Sequence, residues 1–166
     1  MKLEKLDNML LIVGNLGELK IYKIKYQLDI NPKDNFHTSH KHHKGTIQEH
    51  LEFELICDEN FIDAHKNISD IVTDKEGHYE GPFGSASGEA HNLELTIEDR
   101  ILHLIAKHIN SVLKSNDFEK FILTFPEEHN SYLLNLIEQK DKLYKNIEEN
   151  LVKNKAEEII NEYIIK

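Results

Sequence analysis

Hydrophobic and polar positions along the chain divide it into short patterned segments. The first is an uninterrupted apolar run at residues 9–13. The second, residues 18–26, interleaves Leu19, Ile21, Tyr22, Ile24 and Tyr26 with lysines. Gly14-Asn15-Leu16-Gly17 lies between them, and Asn and Gly tolerate the backbone that tight turns demand, so the two predict a hairpin. Residues 29–45 are polar, punctuated by Pro32 and Gly45, and predict a loop. Leu51, Phe53, Leu55 and Cys57 then fall at every second position, which predicts a strand. Phe61, Ile62, Ala64, Ile68, Ile71 and Val72 suit a short helix. The strongest periodicity covers residues 93–114, where Ile101, Leu102, Ile105, Ile109, Val112 and Leu113 share one helical face. Asp99, His103, Lys107 and Asn110 take the other face. Asn92 or Thr96 is the expected cap, and Ser115-Asn116-Asp117 the expected end.

Residues 120–125 read as a buried strand. Pro126 follows where a helix tolerates proline, with Glu127 and Glu128 at its positive end. Tyr132, Leu133, Leu136 and Ile137 form the expected buried face of that helix. Residues 143–152 predict another strand. Residues 156–165 predict a last helix, with Ile159, Ile160, Tyr163 and Ile164 as its stripe. A hairpin followed by strands alternating with helices predicts an α/β fold: a single domain over residues 1–166, with a mixed β-sheet packed by helices.

Composition narrows the function. A formal net charge of −10 argues against a broad grip on phosphate backbones, and Arg100 is the one arginine. Cys57 is the one cysteine, which excludes an intramolecular disulfide and a Cys-rich zinc site and reads as a small buried hydrophobe. No apolar run approaches the length of a membrane span. A cytoplasmic location, no membrane partner and no cofactor are the expectations.

Three groups of residues could carry chemistry. Residues 77–92 hold four of the seven glycines. Gly81, Gly84, Ser85, Ser87 and Gly88 would offer free N–H groups and hydroxyls near a helix start, a cradle for an anion or a flexible connector. Just beyond, His91, Glu94 and Glu98 fall on one face of the predicted helix, where half-buried carboxylates beside a histidine suit acid–base work. The same residues could equally be solvated. His37, His40, His42 and His43 make a dense histidine cluster that could hold zinc, nickel or copper, set in a lysine-containing polar loop. His103 reads as exposed and His108 as a boundary residue. His129-Asn130-Ser131 reads as capping and surface.

The strings LIVGNLGELKIYKI, NFIDAHKNISDIVTDKEGHYEGPFGSASGEAH, FILTFPEEHNSYLLNLI and NIEENLVKNKAEEIINEYI resemble, in order and spacing, the bacterial host-attachment protein family. That family is similar to the middle domain of archaeal and eukaryotic class-1 peptide-release factors. The resemblance implies a release-factor middle-domain-like fold and a translation-associated module that binds the ribosome or structured RNA. In release factors a Gly-Gly-Gln tripeptide sits on the loop before a long helix. Here residues 81–88 contain neither adjacent glycines nor a glutamine. The alternatives are a small hydrolase acting on an ester such as peptidyl-tRNA through His91, Glu94 and Glu98, and a metal-binding or surface-interaction protein.

Overall fold

The computed structural model describes residues 2–30, 47–75 and 86–166. Among these residues five strands form one mixed sheet: β1 (Leu10–Gly14), β2 (Glu18–Ile30), β3 (Ile47–Asn60), β4 (Phe121–Thr124) and β5 (Leu143–Ile147), in the order β3-β2-β1-β4-β5. β1, β2 and β3 are antiparallel neighbours, whereas β1 pairs in parallel with β4 and β4 with β5. The helices are α1 (Ile62–Lys75), α2 (Ala86–Ser115), α3 (Glu127–Leu136) and α4 (Ala156–Ile160), the last continuing as a π-helical turn over Asn161–Ile165. The predicted α/β class is the one observed.

β1 is central and covered on both faces, which is why its sequence is continuously apolar. Leu10 and Ile12 point to one core with Leu19, Ile21, Phe121 and Leu123, beneath α2 and α3. Leu11 and Val13 point to the other with Ile24 and Ile122, beneath α4. On α2 the residues Ile101, Ile105, Ile109 and Leu113, four apart, are buried against the sheet. Its C-terminal end is closed by Ser115 Oγ, which donates to the Ser111 carbonyl, and Asn116 Nδ2, which donates to that of Val112.

Several elements differ from expectation. β2 and β3 reach Ile30 and begin at Ile47, because main-chain pairing continues where the side chains are already polar. A bulge sits at Ile56, between the pairs Ile21–Cys57 and Tyr22–Leu55. It shifts the alternation so that Ile56 and Cys57 both join the α2 core. Cys57 is half-buried rather than fully buried. Burial, followed by the nearby Glu59 and Asp58 carboxylates, raises its thiol pKa. α2 starts at Ala86, so Thr96 lies inside it and donates to the Asn92 carbonyl one turn back instead of capping. β5 stops at Ile147; Leu151 and Val152 are buried through the loop before α4. Of the face expected for α3, Leu133 and Ile137 are buried and Leu136 packs against the core, whereas Tyr132 is exposed and Asn130 turns inward.

α2 is much longer than the central strands β1 and β4 that it lies on. Its 30 residues span about 45 Å, whereas the five residues of β1 span about 17 Å. Its buried stripe begins at Ile101, and no residue from Asn92 to Arg100 is buried. The first half of α2 therefore overhangs the sheet and packs against α1.

Candidate functional site

The foot of this overhang is built on the β1–β2 turn. Asn15 Oδ1 accepts from the N–H groups of Gly17 and Glu18, both at 2.8 Å, which folds the turn and aims its carbonyls outward. Gly17 O accepts from Phe61 N at 2.8 Å, tying the end of β3 to the turn. Leu16 O meets Nε2 of His65, on the first turn of α1, also at 2.8 Å. A carbonyl can only accept, so Nε2 carries a proton. In the neutral ring Nδ1 is then a bare lone pair, the state of a general base. Leu16, Leu93 and Ile97 form the apolar wall of a cavity of about 540 Å³ between α1 and α2, and His65, Lys66, Asp70, Glu94 and Glu98 supply its polar groups. Apolar walls with a few convergent polar groups are what small-molecule sites share.

Two of the three carboxylate and imidazole positions expected from sequence meet in this cavity. Glu98 is half-buried and Glu94 exposed, and both line it. Ser87, Gly88 and His91 belong to α2 by their backbone, and the side chains of Ser87 and His91 lie outside the described residues. Gly81, Gly84 and Ser85 lie outside the described residues altogether, and so do His37, His40, His42 and His43. Among the described residues no group of three or more His, Cys, Asp or Glu is arranged to hold a metal ion. His65 was not a sequence candidate, since a lone histidine in an amphipathic segment carries no spacing signal. The turn carbonyl that orients it comes from a position 49 residues away.

A second cavity, of about 620 Å³, opens at the carboxyl ends of β1, β4 and β5, between the β1–β2 turn, the start of α3 and the loop after β5. Open α/β sheets commonly bind ligands at such ends. Its lining is carboxylate-rich, with Glu127, Glu128, Glu148 and Glu149 around His129. Beneath it Asn130, fully buried, clamps two strand ends. Its Nδ2 donates to Phe125 O at 3.1 Å and to Ile147 O at 3.4 Å, and its Oδ1 accepts from Asn146 Nδ2 at 2.7 Å. Asn130 is thus no surface cap, contrary to its sequence reading: Pro126 starts α3 early enough to turn it inward.

Further along α2, His103 and His108 are exposed and intermediate, as expected. His103 Nδ1 donates to Asp99 O at 2.9 Å, and Tyr132 Oη donates to the Asp99 carboxylate. That bond, then desolvation, raises the Tyr132 pKa. His108 lies 4.0 Å from Glu59 and packs edge-on against Phe61.

Residues 12–162 match the model of a protein family described as protein required for attachment to host cells. The chain belongs to this host-attachment family. The match begins inside β1 and ends in the C-terminal helical turn, so the family unit takes in the two helices that frame the first cavity and the strand ends that frame the second. No curated protein and no solved structure matches the chain. No described helix is long and apolar enough to cross a membrane.

Proposed function

We propose that this host-attachment family member is a binding module of the translation apparatus, reaching its partner with the α1–α2 overhang and the 81–88 segment that leads into it. The observation carrying this reading is the overhang itself: a helix spanning about 45 Å of which only the second half packs on the sheet. The resemblance to the release-factor middle domain, where a glycine loop opens onto a long helix, supplies the translational setting. From Asn92 to Arg100 the helix carries Glu94, Glu98 and Asp99 against one cation, Arg100. Such a surface fits a basic ribosomal-protein face better than phosphate, so structured RNA is the less favoured partner. Co-sedimentation with ribosomes tests it. The wild-type chain is expected to pellet with them, and Glu94→Lys with Glu98→Lys, or Gly84→Val, to stay in the supernatant. Absence of wild-type co-sedimentation, or indifference to both changes, contradicts the reading.

One observation favours a second reading, a small hydrolase acting on an ester such as peptidyl-tRNA. His65 is held in the tautomer a general base needs, in the same cavity as Glu94 and Glu98. Gln at 65 can still donate to the Leu16 carbonyl but cannot take a proton from water. His65→Gln is therefore expected to fold normally and to lower turnover about 10²- to 10⁴-fold. Peptidyl-tRNA left intact by the wild-type chain rules the hydrolase out.

A further inference from the structure

β3 is the edge of the sheet, and among the described residues its one strand partner is β2. Its 14 residues present a rim of about 46 Å whose outward N–H and C=O groups have no strand among the described residues to pair with. The side chains along this rim are sorted. Up to the Ile56 bulge, Ile47, Leu51, Phe53 and Leu55 share the face that carries α4, with Ile47 62% and Leu55 48% exposed, and the one acid among them, Glu49, is bonded to Tyr26. His50, Glu52 and Glu54 share the opposite face. Over its whole length β3 carries Glu49, Glu52, Glu54, Asp58 and Glu59 and no lysine or arginine. The cations facing it are Lys20, Lys23 and Lys25 of β2. Lys25 bonds Glu54 at 2.7 Å, and Lys20 sits 3.6 Å from Glu18 on its own strand, so the rim keeps a surplus of negative charge.

We propose that this edge docks an extended basic segment of a partner protein, which adds to the sheet as a sixth strand. Main-chain hydrogen bonds hold such a strand, and alternate side chains select it. The pattern that fits is Lys or Arg at every second position, opposite Glu52 and Glu54, with Val- or Ile-like residues between them over Leu51, Phe53 and Leu55. Charge also disfavours the pairing of two copies that would stack the apolar centre of the rim on itself. A two-fold pairing centred on Phe53 sets Glu52 of each copy against Glu54 of the other, and like charges directly opposite destabilise a ladder. The bulge at Ile56 marks one limit of the docking rim, since local twist and lost pairing there interrupt a regular ladder.

The test uses the full chain and three labelled peptides, read by fluorescence anisotropy at low salt. One alternates Lys and Val, one has the same composition in two blocks, and one alternates Glu and Val. The alternating Lys/Val peptide is expected to bind and to slow amide exchange along 47–55, with the other two binding at least about tenfold more weakly. N-methylation of alternate residues removes main-chain donors but keeps every charge. In one of its two registers it is expected to weaken binding about tenfold or more. Glu52→Lys is expected to shift preference toward the Glu/Val peptide. Equal binding of the alternating and block peptides, or indifference to N-methylation in both registers, overturns the proposal in favour of unspecific charge attraction. A dimer in sedimentation equilibrium that blocks peptide binding overturns it in favour of self-pairing.

Discussion

Replacing Asn130 by Ala tests the clamp that joins β4 and β5 under the strand-end cavity. The side chain is fully buried, so nothing lost is returned by solvent without rearrangement. Ile147 O keeps a main-chain bond from Phe125 N at 3.1 Å. Phe125 O and Asn146 Nδ2 lose the partners the side chain gave them. A buried polar group left unpaired costs about 1–3 kcal/mol, so two of them bring the expected loss to about 3 kcal/mol. For a chain of this size that corresponds to a fall in Tm of about 6–12 °C. Urea unfolding followed by far-UV circular dichroism measures it, with the midpoint moving and the slope unchanged. Asn146→Ala should cost less, and the double variant less than the sum of the singles by about 1 kcal/mol, because the second change removes a donor already orphaned. A loss below about 1 kcal/mol for Asn130→Ala, or strict additivity, refutes the reasoning.

Three further expectations concern other parts of the fold. A Cβ on Gly14 would lie 3.1 Å from Phe125 Cε2 and 3.3 Å from Leu19 Cδ1, so Gly14→Ala should cost about 1–3 kcal/mol by thermal melting, with Phe125→Leu relieving part of it. Ile105 is fully buried at the middle of the α2 stripe, and Ile105→Ala should cost about 2–5 kcal/mol. The bond from Tyr163 to Glu149, followed by desolvation, pushes the phenol's pKa up to about 12. A raised pKa means the folded state favours the protonated phenol, so this contribution is whole below about pH 10 and disappears as pH rises from there toward about 12. Ultraviolet titration should show a latest-titrating tyrosine, above the also raised Tyr26 and Tyr132, that Tyr163→Phe removes and Glu149→Gln brings nearer its ordinary range.

The fold was readable where one period dominated. The Ile101–Leu113 stripe and the apolar run of β1 announce a helix on a doubly covered strand, and the structure places both so. Boundaries were less legible. β2 and β3 extend through polar residues because main-chain pairing in a hairpin needs no apolar side chain. α2 begins before its apolar face does because its first half packs on α1 rather than the sheet. Of the candidate site, Glu94 and Glu98 could be found from helical spacing, since both lie on one stretch of one helix. His65 could not, because its neighbours in the cavity come from α2 and its orienting carbonyl from a turn near the start of the chain. Asn130 was misread for a similar reason. Whether an asparagine four residues after a helix-starting proline caps or clamps depends on a strand end 17 residues further on.

Hydrogen–deuterium exchange of the full chain with and without ribosomes tests the proposed use of the overhang most directly. Residues 92–100 of α2 are unburied and should exchange readily in the free chain, then slow on ribosome addition while the Ile101–Leu113 segment stays as protected as before. Unchanged exchange across residues 92–100, with ribosomes bound or absent, would contradict it.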